Sequence, residues 1–188
     1  MRGPGAMKPE IRYLTPADYR LFSEIRLAAL RSEPDAFGEL YENVAGRTPA
    51  DWKVWLANAI VAGRKNSVCV VANGKAVGMC GFGISDAEPT EGYLGGMFVE
   101  RGHRGHGWGR RLLEEAERWL SAHGVLRLKA CVAAPNEQAI GFYRRNGYVI
   151  GPPSGTLRPG SPIPVYPIEK ALKGDNRKKN DDRNYFRS

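Results

Sequence analysis

The sequence predicts an α/β domain in which helices and strands alternate along one chain of 188 residues. Three observations support this class: apolar residues at helical spacing, a hairpin signal in mid-chain, and a strand that runs into a glycine-rich turn followed by a helix. Apolar residues make up 42% of the chain, enough to bury one sizeable core, so a single domain is expected.

Two helices are predicted in the first third of the chain, and each begins with a Thr-Pro pair. Threonine is a good N-cap and proline suits the first helical position. One helix begins at Thr15-Pro16 and ends before Pro34, and the other begins at Thr48-Pro49. Residues 10–14 form a first strand, and residues 35–47 form a loop between the helices.

The middle of the chain is predicted to form three strands. Asn73-Gly74 is a strong type I′ turn signal, so residues 67–72 and 76–84 should form a hairpin. A polar loop over residues 85–90 then leads to a third strand over residues 93–99.

The remaining elements alternate to the end of the domain. They are a helix over residues 110–122, a strand over 126–133, a helix over 136–146, and closing strands over 148–151 and 164–171. The predicted order is therefore β-α-α-β-β-β-α-β-α-β-β.

Composition divides the chain into a domain at residues 9–173 and two ends. Residues 1–8 are expected to be disordered or left over from cloning, and the polar, basic tail at 174–188 to be disordered. The tail carries part of the net charge of +8, with five basic and three acidic residues. Aromatic residues do not interleave with a basic stripe, so we expect no nucleic-acid partner. No apolar run is long enough to span a bilayer, which favours a cytoplasmic protein without membrane contact.

The most informative motif is Arg104-Gly105-His106-Gly107-Trp108-Gly109. A glycine-rich turn at a helix N-terminus collects backbone N–H groups, which suits a phosphate or pyrophosphate. Glycine permits both positive φ and close approach of a ligand. The alternative is a tight connection that carries solvated arginines.

Two familiar phosphate loops do not match. The dinucleotide pattern requires other spacing after the first strand, and the mononucleotide pattern ends in Gly-Lys-Ser or Gly-Lys-Thr. The remaining pattern, Arg-x-x-Gly-x-Gly, is similar to the pyrophosphate loop of the GNAT superfamily of acyl-CoA-dependent N-acyltransferases.

A second motif, over residues 136–148, resembles the other GNAT signature. Asn136 is a good N-cap, Ala139 and Tyr143 lie four residues apart on one helix face, and Gly147 suits a left-handed stop. The two motifs occur in the right order, about 30 residues apart. The sequence therefore resembles the acyl-CoA-dependent N-acetyltransferases of the GNAT superfamily.

The resemblance implies a mixed, mostly antiparallel sheet of about six to seven strands flanked by about four helices. It also implies acetyl-CoA as co-substrate, with the pantetheine arm between two splayed strands, and Arg104 as a cation at the rim of the phosphate loop. The cofactor-binding residues carried over are Met97, Phe98, Val99, Arg104, Gly105, His106, Gly107, Trp108, Gly109, Arg110 and Asn136.

Two catalytic residues also follow from the resemblance. Tyr143 is the candidate general acid, which protonates the departing thiolate, and Glu91 is the candidate general base. Gly95-Gly96 would permit a bulge that aims an N–H at the thioester oxygen. Each residue has a structural alternative: Tyr143 as core, Glu91 as a surface carboxylate, and the glycines as relief of packing.

The acceptor is expected to be a primary amine on a small molecule, such as an antibiotic-like compound or a detoxification substrate, attacked directly in a ternary complex. Phe37, Glu39, Tyr41 and Glu42 lie in the loop that often lines the acceptor pocket of this fold. The alternatives are a protein N-terminal or lysine acetyltransferase and a non-catalytic acyl-CoA sensor. A monomer or homodimer is expected.

No metal is expected. His103 and His106 have His-x-x-His spacing without further ligands, so solvated loop residues explain them. The three cysteines are far apart and indicate neither a disulfide framework nor a zinc site. Core packing is expected for each, with Cys131 beside the thioester as the strongest candidate for an exception.

Overall fold

The computed structural model describes residues 9–173, so the predictions for residues 1–8 and 174–188 lie outside the described part of the chain. Helices and strands follow the predicted order. The strands are β1 (Glu10–Tyr13), β2 (Lys65–Ala72), β3 (Lys75–Ile84), β4 (Glu91–Val99), β5 (Arg127–Ala133), β6 (Val149–Ile150) and β7 (Val165–Ala171). The α-helices are α1 (Tyr19–Ser32), α2 (Pro49–Ala59), α3 (Trp108–Ala122) and α4 (Glu137–Arg145).

One seven-stranded sheet forms the centre of the described domain, in the order β1-β2-β3-β4-β5-β7-β6. Neighbouring strands are antiparallel except β4 and β5, which pair in parallel. The expected mixed, mostly antiparallel sheet with four helices is confirmed. Within residues 9–173, none of the helices combines the length and apolar character needed to cross a bilayer.

Several local signals act as predicted. Asn73 and Gly74 both have positive φ, 50° and 77°, as a type I′ turn requires. Thr48 caps α2, where it accepts a hydrogen bond from the Asp51 amide. Gly147 follows α4 with a φ of 84°, the left-handed conformation that ends a helix.

Some boundaries differ from the predictions. Pro16–Asp18 forms a short 3-10 turn, because Asp18 closes a capping box with Thr15 before α1 begins at Tyr19. Helix α3 begins at Trp108, two residues before the predicted start, so its first turn contains part of the glycine motif. Strand β4 begins at Glu91 rather than residue 93, because pairing with both β3 and β5 extends it.

The sheet is covered on both faces. Helices α3 and α4 pack on one face, where Leu112, Leu120 and Leu128 are fully buried. Helices α1 and α2 pack on the other, where Ile25, Leu30 and Leu56 are buried. Strand β4 contributes Leu94 to the first of these clusters and Phe98 to the second. It is also the strand from which β5 separates.

Candidate active site

Strands β4 and β5 separate after a short paired stretch. Only Glu91, Gly92 and Tyr93 of β4 pair with β5, opposite Arg127, Leu128 and Lys129. Strand β5 then continues against β7 alone. Within residues 9–173, the edge of β4 that faces β5 therefore has no strand partner over residues 94–99, and the two strands leave a cleft there. Met97, Phe98 and Val99, the residues predicted to pair with pantetheine, all lie in this stretch.

A bulge interrupts β4 inside the open stretch. Met79 lies opposite Phe98 and Gly81 opposite Gly95, so β4 carries one extra residue between these pairs. Gly96 has a φ of 63°, which a side chain would strain. The predicted bulge in the Gly95-Gly96 region is thus confirmed: Gly95 still pairs with Gly81, and the extra residue follows it, where Gly96 and Met97 lie opposite Cys80.

The glycine-rich loop lies at the end of β4. Gly105 and Gly107 have φ of 82° and 81°, and a Cβ on either would meet nothing within 4 Å. Backbone conformation rather than crowding within the protein therefore demands glycine at both positions. Gly109 differs, because its φ is not positive and a Cβ there would make ordinary van der Waals contact with the Phe142 ring, at 3.4 Å. Neither backbone conformation nor crowding within the described chain requires glycine at this position.

The amides of this loop are available to a ligand. Within the described chain, the N–H groups of residues 105–110 donate no hydrogen bond to the protein, and the first intrahelical donor is Arg111, to the Gly107 carbonyl at 3.0 Å. Unpaired N–H groups at the start of a 15-residue helix form an anion site. Gly105, His106 and Gly107 are exposed, whereas the Trp108 side chain is buried and contributes its amide.

The Arg104 side chain, predicted as a cation at the rim of the loop, is held in place by partners within the protein. Its Nε donates to the Val99 carbonyl at 2.7 Å, and its terminal nitrogens bond to Glu33 and to Gln138. The pairing of Arg104 with Glu33 was not predicted from the sequence, because Glu33 lies 71 residues earlier in the chain. Arg104 thus ties the end of β4 to the segments after α1 and at the start of α4.

Two other predicted cofactor residues also bond within the protein. Arg110 pairs with Glu114 at 2.7 Å, one turn along α3. The side-chain oxygen of Asn136 accepts the Ala139 amide at 3.0 Å, as an N-cap does. Asn136 therefore fixes the start of the helix that carries Tyr143.

Tyr143 is buried on α4 between the rings of Phe142 and Tyr148, each in an edge-to-face contact. Burial raises the pKa of its hydroxyl above the ordinary value, and the neighbouring Cys80 thiol raises it further. The hydroxyl therefore keeps its proton at neutral pH. Such a group can donate a hydrogen bond or a proton, and it does not serve as a base at neutral pH.

Glu91 lies where β4 and β5 are still paired. Its Oε1 contacts the Lys129 ammonium at 2.6 Å and the Arg127 guanidinium at 3.5 Å. Because side chains alternate along a strand, Glu91 and Tyr93 share one face of the sheet. The Glu91 carboxylate thus lies on the same face of β4 as Tyr93, and it is held in ion pairs.

A cavity of about 270 Å³ opens on that same face, next to the bulge. It lies between α1, α2 and strands β2 to β4. Its walls include aromatic, polar and cationic side chains and the glycines of the bulge. The lining residues are Phe22, Arg26, Trp55, Asn58, Ala59, Lys65, Asn66, Ser67, Val68, Met79, Cys80, Gly81, Phe82, Tyr93, Gly95 and Gly96.

The four predicted acceptor residues do not line this cavity. Glu39 bonds to Arg26 and Arg47, each at 3.0 Å, and Phe37 packs under the Arg26 guanidinium at 5.1 Å. Tyr41 bonds to Arg31, and Glu42 is exposed. Phe37 and Glu39 contact Arg26, which in turn lines the cavity. Arg26 was not predicted from the sequence, because nothing in the sequence sets it apart from the other polar residues of α1.

Neither the histidines nor the cysteines assemble a metal site in the described part of the chain, where no group of three or more His, Cys, Asp or Glu side chains converges. Cys69 and Cys80 are buried, as expected for core residues, and Cys131 is exposed on β5.

Comparison with known proteins agrees with this geometry. Residues 27–148 match the model of the acetyltransferase (GNAT) family. An aminoglycoside N(6')-acetyltransferase type 1 from Stenotrophomonas maltophilia is 27% identical over 150 residues, which cover 76% of this chain and 88% of that protein.

Solved structures share the fold. A GNAT-family acetyltransferase from Streptococcus pneumoniae superposes with a TM-score of 0.74 at 23% identity, over 88% of this chain and all of that one. The acetyltransferase yncA from Salmonella typhimurium, solved with acetyl-CoA, gives 0.72 at 18% identity, over 89% and 96% of the two chains. With the family model matched over most of the domain, the chain belongs to the acetyltransferase (GNAT) family and is an N-acetyltransferase whose co-substrate is acetyl-CoA.

Proposed function

We propose that this enzyme moves the acetyl group of acetyl-CoA to a primary amine of a small molecule, by direct attack in a ternary complex. The observation that carries the proposal is the meeting of two spaces at one bulge. Gly95 and Gly96 lie in the part of β4 that does not pair with β5, and the same two glycines line the aromatic-walled cavity. A donor and an acceptor would therefore meet at the bulge without a covalent enzyme intermediate.

On the donor side, the loop amides of residues 105–110 would hold the pyrophosphate of the co-substrate. The open edge of β4 over Met97, Phe98 and Val99 would pair with the pantetheine amides. Backbone N–H groups at the bulge would stabilise the negative charge that develops on the thioester oxygen. Arg104 contributes by positioning the end of β4 rather than by its charge.

In the chemical step, the amine nitrogen forms a bond to the acetyl carbon and the carbon–sulfur bond of the thioester breaks. Tyr143 would donate a hydrogen bond or a proton to the departing thiolate. Because burial raises the pKa of the tyrosine above its usual 10, and a thiol ionises near 8.5, full proton transfer is uphill. Hydrogen-bond donation to the thiolate is therefore the larger part of its proposed role.

Glu91 remains the proposed general base, and the structure supports it only by position. It shares a sheet face with Tyr93, which lines the cavity. No aspartate or glutamate lines the cavity among the described residues, so the amine proton would have to reach Glu91 through water. Lys129 and Arg127 would keep the carboxylate oriented.

The shape of the acceptor site favours a small molecule over a protein. A protein N-terminus or lysine would need an open, shallow groove, whereas Phe22, Trp55 and Tyr93 wall a cavity near the lower end of the usual ligand range of about 300–1,000 Å³. The relative from Stenotrophomonas maltophilia is named for acetylating aminoglycosides, which are also small amines.

The test is release of free thiol from acetyl-CoA with a panel of primary amines, beside a panel of peptides with free N-termini and lysines, with products identified by mass spectrometry. Acetylation of at least one small amine, with peptides inert, is the expected result. Acetylated peptides alone would show a protein acetyltransferase. Acetyl-CoA binding without thiol release from either panel would show an acyl-CoA sensor.

A further inference from the structure

The acceptor cavity carries positive charge and no balancing carboxylate. Arg26 and Lys65 both line it, and none of the described lining residues is aspartate or glutamate. Glu39 bonds to Arg26 from outside the cavity, but it is shared with Arg47. Two guanidinium groups thus face one carboxylate, so a net positive charge remains beside the cavity.

The Arg26 side chain has hydrogen-bonding capacity to spare. Only its NH2 donates within the described chain, to Glu39, and its Nε is buried without a partner. Its NH1 lies 3.9 Å from the position that a Cβ on Gly96 would occupy, beside the bulge. A largely buried cation, with a side chain 11% exposed and with unused donors at a cavity wall, is suited to an anionic group on a ligand.

From this we infer that the preferred acceptor carries a carboxylate as well as its primary amine, on a compact apolar or aromatic body. The inference rests on the proposed function. The carboxylate binds the Arg26 guanidinium, with Lys65 adding long-range attraction, and the body packs between Trp55 and Tyr93. This arrangement places the amine near the bulge, where the thioester would lie.

The same charges disfavour acceptors with several ammonium groups, because like charges brought together in a partly enclosed site repel. An aminoglycoside is such an acceptor. This chain would therefore differ in substrate class from the relative named above, despite the shared family.

Calorimetry on the full chain saturated with coenzyme A tests the inference without requiring turnover. The probes are two matched pairs that differ in the carboxylate: L-phenylalanine with phenethylamine, and 4-(aminomethyl)benzoate with benzylamine. We expect the acid of at least one pair to bind about tenfold or more tightly than its partner without the carboxylate. Kanamycin should bind more weakly than that acid.

Variants assign the preference to Arg26. In Arg26→Gln most of the preference for the acid over its partner without the carboxylate should disappear, with only the weaker attraction of Lys65 left, while in Arg26→Lys a larger part of the preference should remain. Arg31→Gln is the matched control, because it removes an arginine from the same helix outside the cavity, and it should keep the full preference. Coenzyme A affinity and thermal unfolding of each variant show whether the fold and the donor site are intact.

The result that would overturn the inference is equal or weaker binding of both acids, or a preference that Arg26→Gln leaves unchanged. Failure of the proposed function would give a different result: no amine would be acetylated. Calorimetry does not depend on turnover, so the acid preference could still be present or absent in that case.

Discussion

The Arg104 guanidinium lies against the Glu33 carboxylate and donates through Nε to the Val99 carbonyl, so it joins the end of α1 to the end of β4. The arginine of the glycine motif is thereby held within the protein. Its effect on acetyl-CoA binding would come from positioning the loop amides, which would donate hydrogen bonds to the pyrophosphate.

The first prediction separates these two roles of Arg104. Arg104→Gln and Glu33→Gln should each lower the free energy of unfolding by about 1–2 kcal/mol, since each leaves a partly buried partner unpaired. Both should weaken acetyl-CoA binding several-fold by calorimetry. If Glu33→Gln instead tightens binding, the freed arginine contacts the phosphates directly and the positioning role is wrong.

A second prediction concerns Gly107. Gly107→Ala places a side chain at φ 81° and exposes the amide cradle to a methyl group. Gly160→Ala is the matched control, because its φ is 76° and a Cβ there also meets nothing within 4 Å. Both variants should lose about 1–2 kcal/mol of stability in urea unfolding. Only Gly107→Ala should raise the Kd for acetyl-CoA tenfold or more. Equal affinity in the two variants would place the pyrophosphate elsewhere.

Tyr143→Phe should lower kcat by about a hundredfold or more and leave the Kd for acetyl-CoA unchanged, because the hydroxyl acts only on the departing thiolate. Tyr148→Phe is the control, since that hydroxyl donates to Glu117 at 3.0 Å and supports the fold. It should lose stability but keep kcat. Single-turnover thiol release measures the chemical step, and a wild-type rate in Tyr143→Phe would exclude it as the acid.

The base role of Glu91 can be separated from its ion pairs. Glu91→Gln should lower kcat/KM for the amine by about a hundredfold and steepen its rise with pH, because the amine must then lose its proton unaided. Lys129→Met breaks the 2.6 Å ion pair but keeps the carboxylate, and it should retain most activity. Equal losses in the two variants, in proportion to lost stability, would show that Glu91 serves only the fold.

Alkaline pH should destabilise the protein through its buried thiols. Burial raises the pKa of Cys69 from 9.0 to about 12, and the pKa of Cys80 is also raised. Above pH 9 the unfolded chain releases a proton that the folded chain retains. The free energy of unfolding should therefore be level below about pH 9 and fall toward pH 12, by about 1.4 kcal/mol per pH unit for Cys69 alone.

Denaturant titrations between pH 8 and 11 measure this decline, and Cys69→Ala should make it shallower. A native-state alkylation count is an independent check of burial. One thiol, Cys131, should react before unfolding and all three after it. Rapid native labelling of Cys69 or Cys80 would contradict the burial on which the pH prediction depends.

The order of elements and the backbone conformation of the glycine-rich loop could be predicted from the sequence. Those features depend on local chemistry: apolar periodicity, the Asn73-Gly74 turn, the Asn136 cap, and glycines at Gly105 and Gly107, which take positive φ. Backbone conformation at such positions is decided within a few residues, so it can be read along the chain.

The partners of the charged side chains and the residues that line the cavity beside the bulge depend on the tertiary structure, and they could not be predicted from the sequence. Arg104 meets Glu33 across 71 residues, and Glu91 meets Lys129 from another strand. The cavity draws Arg26 and Trp55 from two helices, whereas the predicted loop residues Tyr41 and Glu42 lie outside it. A long charged side chain reaches whatever the fold places beside it, and spacing along the chain does not specify that neighbour.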